Sequence, residues 1–258
     1  MAAPGSPGRV LILGGAGFIG SHIAAAFVRR GARVTVLDGF LPDTAAREAN
    51  LAGLATQVEL ARTRIEDCPD LMELVRDAEL AVDCMGLTGH HIGMAEPLRD
   101  LELNLRSHVV LIEALRKVRG ARVIYLGSRG QYGRGIADPI TEETPQMPLD
   151  PQGVHKLAAE GLFRVYAHRG DFHAISLRLS NTYGEHQRTR GYDLGLVGGF
   201  LRDLLAIWLG FRVTIVVGLA IYALAFAIFS AVRRPVTATE PAPVETASQA
   251  PLWAASKR

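Results

Sequence analysis

Four glycines, Gly14, Gly15, Gly17 and Gly20, follow the apolar run Val10–Leu13 and lead into a helix that opens at Phe18 and Ile19. A short buried strand, a tight glycine turn and a helix start in that order make a cradle for phosphate. Glycine tolerates the backbone angles of the turn and lets a pyrophosphate approach the main chain, and the helix start offers unpaired N–H groups and a positive dipole end. The next apolar run, Arg33 to Leu37, ends in Asp38. A carboxylate about 20 residues past the glycines accepts hydrogen bonds from an adenosine ribose diol. An acid there repels a 2′-phosphate, so NAD is expected rather than NADP, with Arg33 and Arg47 the cations that oppose the preference.

Other reactive side chains fall where strands end or helices begin. They lie in Gly127-Ser128-Arg129-Gly130-Gln131-Tyr132-Gly133, in Gln152-Gly153-Val154-His155-Lys156 and in Ser180-Asn181-Thr182-Tyr183-Gly184. Each has a plainer reading beside the chemical one. Ser128 also suits a turn cap, His155 a surface position, Lys156 a solvated helix face, and Arg129 either a phosphate or solvent. Asn104, inside a helical pattern, reads by default as exposed. The pair His90-His91 follows the fourth strand, but adjacent histidines without further ligands make no metal site, and no metal is expected.

These groups need a scaffold that gathers strand ends. Periodicity predicts strands over 57–61, 79–85, 121–126 and 173–179 besides those at 10–13 and 33–38. It predicts helices near 44–54 and 70–75, a long amphipathic one from Pro97 to Val118 with Leu101, Leu105, Val109, Ile112 and Leu115 on one side, and another over Gln152–Arg169. Residues 138–151, rich in proline and acid, read as an irregular loop. Alternating strands and helices predict a doubly wound parallel sheet, an α/β Rossmann fold, with its ligand crevice at the carboxyl ends of the strands.

The 258 residues suffice for one such domain, and the net charge of +2 with scattered arginines gives no nucleic-acid signature. Cys68 and Cys84, the only cysteines, make no disulfide framework and fit a reducing compartment. Residues 1–7 read as a flexible lead without the apolar core of a secretory signal, and 8–206 as the nucleotide-binding domain. Val213 to Val232 carry no charge and lie between Arg212 and Arg233-Arg234. Such a helix spans about 30 Å, the thickness of a bilayer's hydrocarbon layer. A membrane-spanning helix with flanks over 207–234 and a disordered tail over 235–258 are therefore expected, with the domain on the cytoplasmic side. The alternative is a buried helix in a wholly cytoplasmic protein.

Taken together, Gly-Gly-Ala-Gly-Phe-Ile-Gly at 14–20, Asp38, Asn104, Ser128 four residues before Tyr132-Gly133, Lys156 followed by Leu-Ala-Ala-Glu, and Leu177 to Gly184 resemble a known family. It is the NAD-dependent epimerase/dehydratase family of nucleotide-sugar enzymes, in the extended branch of the short-chain dehydrogenase/reductase superfamily. The resemblance covers roughly residues 8 to 206 and lacks the further C-terminal part usual in the family. It implies an enzyme that moves a hydride reversibly between a sugar carbon and NAD. Ser128 would bond the reacting hydroxyl, Lys156 the nicotinamide ribose, and Asn181 would shape the substrate pocket. It also implies a homodimer paired through Pro97–Val118 and Gln152–Arg169. The family's base, a tyrosine four residues before the lysine, is Gln152 here, and a glutamine amide takes no proton at neutral pH. Three possibilities stand open: His155 as base, substrate- or water-assisted proton transfer, and a membrane-anchored NAD-binding or scaffolding protein without turnover.

Overall fold

The computed structural model describes residues 7–133, 139–180 and 182–187. The chain divides into two compact units, Met1–Gly199 and Phe200–Arg258, and every described residue belongs to the first. Asn181 and the apolar stretch 213–232 lie outside the described residues, within which no helix is long and apolar enough to cross a membrane.

Strand β1 (Arg9–Leu13) is buried at every position but its first. Successive side chains of a strand point to opposite faces, so Leu11 and Leu13 enter one core and Val10 and Ile12 another. That double burial demands cover on both sides. Helix α1 (Phe18–Arg29) packs Ala24 against Val10, Ile12 and the valines of β2 (Arg33–Asp38). On the other face lie α2 (Leu71–Asp77), α5 (Ser107–Leu115) and α6 (Pro151–His168). They contribute Val75, Leu111, Ile112, Leu115 and Phe163 to the second core. With β3 (Val58–Arg62), β4 (Leu80–Asp83), β5 (Arg122–Ser128) and β6 (His173–Leu179), the strands form one parallel six-stranded sheet. Its order is β3-β2-β1-β4-β5-β6. The chain's direction of travel across the sheet reverses between β1 and β4, so the connections leaving these two strands part there and leave a crevice.

The expected elements are present with three departures. The pattern over 44–54 is helical only from Glu48 to Leu54, as a tight 3₁₀ coil; Thr44 instead closes a turn, its hydroxyl donating to the Leu41 carbonyl at 2.7 Å. A further short helix, α3 (His90–Ala95), follows β4. Its polar first turn and Gly93 carry no helical apolar stripe. The expected helix from Pro97 to Val118 is α4 (Pro97–Leu101), a single wide π turn over Glu102–Arg106, and α5, ending at Leu115. Of the expected apolar side, Ile112 and Leu115 are buried, but the burial also takes in polar residues. Asp100, Asn104 and His108 have no exposed surface, whereas Leu101 is more than a third exposed.

Candidate functional site

A cleft of about 610 Å³ opens at the carboxyl end of the sheet between β1 and β4. Its floor on one side is the glycine turn. Gly14 adopts φ +71°, and its N–H donates to the Leu37 carbonyl at 2.8 Å, tying the turn to β2. A Cβ on Gly20 would sit 2.3 Å from the Gly14 carbonyl oxygen, so only glycine lets the helix start this close to the strand. Gly14, Gly17, Phe18, Ile19 and Gly20 line the cleft. Gly15 instead lies beneath it, where a Cβ would strike Val36 at 2.8 Å. No side chain caps α1 at Gly17, which leaves the N–H groups of its first turn for a ligand.

Asp38 faces the same cleft and is 7% exposed. Burial pushes its carboxyl above the usual range, while N–H donors from Phe40 and Ala16, each at 2.9 Å, hold it down. Each oxygen thus accepts one main-chain bond and keeps further acceptor capacity. Arg64 and Glu66 stand on the wall nearby. Arg33 and Arg47 do not line the cleft within the described residues.

The opposite end is built differently. Ser128 caps the turn Arg129–Tyr132: its Oγ accepts from Gly130 N at 3.1 Å, and its own N–H donates to Gln131 Oε1 at 2.7 Å. Gln131, with no exposed surface, donates to Glu160, and Arg178 donates in turn to Glu160 (Nε–Oε2, 3.0 Å) and to the Tyr132 hydroxyl. Lys156 Nζ donates to the carbonyls of Met85 (2.9 Å) and Leu126 (3.3 Å). Burial lowers its pKa, against which Asp83 supplies the largest opposing charge. Gln152 Nε2 donates to the Leu87 carbonyl at 2.9 Å and is 7% exposed. His155 is no surface residue, since Asp100 holds its Nδ1 at 2.6 Å and the side chain is 14% exposed. Among the described residues, Ser128, Gln152, His155 and Lys156 are absent from the lining of the large cleft.

Behind these groups runs a buried polar stripe on the α4–α5 rod. Asn104 donates to the Leu87 carbonyl and accepts from the Leu87 N–H, both at 3.0 Å, and also donates to Asp100. His108 Nδ1 meets Asp83 at 2.7 Å with both side chains fully buried, and burial pushes the imidazole pKa down despite the carboxylate. Asp100, Asn104 and His108 recur every four residues, so they stack on one helical face and each grips a different element. Sequence reasoning took Asn104 as exposed and passed over Asp100 and His108. The four-residue spacing places them on one face but does not say that the face is buried. The cleft also holds Thr88, His90 and Arg129 at this end. Of these, His90 pairs through Nδ1 with Asp150 Oδ2 at 2.7 Å.

The model of the NAD dependent epimerase/dehydratase family matches residues 10–215, and the chain belongs to that family. It is 28% identical over 199 residues to a putative UDP-glucose 4-epimerase of Methanocaldococcus jannaschii, covering 76% of this chain and 63% of that protein. It is 32% identical over 192 residues to UDP-glucose 4-epimerase 4 of rice (72% and 52%). Among solved structures it resembles the UDP-glucuronic acid 4-epimerase of Bacillus cereus in complex with NAD. There the TM-score is 0.64 and the identity 26%, over 70% of this chain and 58% of that one. The UDP-glucose 4-epimerase of Thermotoga maritima with UDP-glucose matches at TM-score 0.66 and 27% identity (76% and 63%). The chain thus spans between about half and two thirds of the length of these relatives.

Proposed function

We propose that the cleft binds NAD and that the chain acts on nucleotide sugars by reversible oxidation, as an epimerase or dehydratase. The observation carrying this reading is the side-chain-free turn from Gly14 to Gly20 facing the cleft with Asp38 beside it. The residues fit the cofactor: the first-turn N–H groups of α1 receive the pyrophosphate, and the Asp38 lone pairs receive the adenosine ribose hydroxyls. Bound NAD supplies an acceptor, and later a donor, for a hydride. Lys156 contributes a buried positive edge beneath Met85 and Gly86, and Ser128 an O–H beside the turn that it caps. Isothermal titration of the full chain with NAD, followed by incubation with a panel of nucleotide sugars and detection of product or transient NADH, tests the reading.

A second reading, NAD binding without turnover, is favoured by one observation. Gln152 stands where the family resemblance expects a tyrosine base, and its amide is committed to the Leu87 carbonyl. Gln152→Tyr separates the two. New activity in an inert protein supports binding alone, and loss of existing turnover supports an unconventional enzyme. We further read residues 213–232 as a membrane tether and Pro97–Val118 with Gln152–Arg169 as a homodimer face. Alkaline extraction of membranes and sedimentation of the full chain in detergent test these two assignments.

A further inference from the structure

Gln152 and His155 are both engaged away from the cleft, so a side-chain proton acceptor is to be sought among the residues that face it. We propose that His90, oriented by Asp150, takes the hydroxyl proton of the nucleotide sugar. This rests on the reading of the cleft as an NAD and nucleotide-sugar site. His90 opens α3 and lines the cleft. Its Nδ1 is held at 2.7 Å by Asp150 Oδ2, and among the described residues its Nε2 has no partner. Asp150 is itself fixed: it caps α6, with Oδ1 accepting from Gly153 N at 2.9 Å, and its side chain is 17% exposed. A carboxylate locked by a helix cap and bonded to Nδ1 sets the tautomer in which Nε2 is the basic nitrogen, and stabilises the imidazolium that forms.

The pair also meets Ser128. Ser128 Oγ and His90 Cε1 lie 3.3 and 3.5 Å from the single point that a Cβ on Gly130 would occupy. The serine oxygen and the ring thus converge on one point beside the turn. In the step, the carbinol O–H bond breaks and its proton goes to Nε2. The electron pair left on oxygen closes the C=O bond while the carbinol C–H pair leaves as hydride to the oxidised nicotinamide; the alcohol is oxidised to a ketone, the cofactor reduced, and the proton returns when the hydride does. His155 and His108, also bonded through Nδ1 to aspartates, have the same pairing but do not line the cleft.

The test uses the full chain in detergent with NAD and UDP-glucose as probe, read as NADH absorbance in a single turnover. His90→Gln is expected to slow NADH formation about 100-fold or more with NAD affinity unchanged, and imidazole should restore part of the rate to His90→Ala. Asp150→Asn, which keeps the helix cap, should slow it by more than about tenfold. Without reference to turnover, carbethoxylation of His90 mapped by mass spectrometry should be slowed by UDP-glucose, while that of His91 is not. Full activity in His90→Gln overturns the assignment, as does carbethoxylation of His90 indifferent to UDP-glucose. NAD binding without NADH formation in the wild type also overturns it, yet leaves the cofactor site standing. Failure to bind NAD removes the reading beneath both.

Discussion

At the β1–β2 end of the cleft the glycine turn offers main-chain N–H groups beside the Asp38 carboxylate, and among the described residues no side chain caps that turn. At the β4–β6 end the side chains singled out from the sequence already serve the protein: Ser128 caps a turn, Gln152 clasps Leu87, Lys156 links β5 to the segment after β4, and His155 closes on Asp100. Main chain cannot be reassigned without moving the fold, whereas a polar side chain can be recruited to hold structure. A recognisable binding turn therefore carries its function more securely than a recognisable reactive side chain.

The contrast is open to attack from both ends. The largest effect is expected from Glu160→Ala, which strands the Arg178 guanidinium in a largely buried position; breaking such a pair costs roughly 3–5 kcal/mol, visible as a lowered urea midpoint. Gly20→Ala comes next. Its Cβ meets backbone at 2.3 Å, so about 1–3 kcal/mol of overpacking should appear in thermal melting together with loss of NAD binding. Asn104→Leu leaves the Leu87 N–H unpaired and is expected to cost about 2 kcal/mol of stability, with NAD affinity changed little. Asp38→Asn should do the converse, weakening NAD binding about tenfold by calorimetry.

The smallest effect is a pH dependence. Burial lowers the His108 pKa below its ordinary 6.5, so the unfolded chain binds a proton that the folded ring refuses. Stability contributed in this way is complete above pH 6.5 and is lost as pH falls below it. Urea titrations across that range should show a slope that His108→Gln reduces. An unchanged slope would mean that the buried Asp83 pair offsets the burial of the ring.

Much of the fold was legible because its signals are local. Val10–Leu13, Arg33–Asp38 and His173–Leu179 read as strands from their apolar or alternating pattern, and the glycine turn from spacing alone. Asp100, Asn104 and His108 were not legible as interior residues, since a helical pattern assigns polar side chains to water. Their burial depends on partners 17, 25 and 55 positions away in the chain.

By itself, the sequence determined the parallel sheet, the place of its crevice and the phosphate turn, because backbone angles and the alternation of apolar residues are set by neighbours along the chain. Tertiary structure alone decided which polar groups face the cleft. Hydrogen bonds with distant segments turn Gln152, His155 and Lys156 to structural work, a local turn engages Ser128, and His90 stands at the wall. Desolvation forces that outcome: a buried donor or acceptor must find its partner wherever the fold brings one.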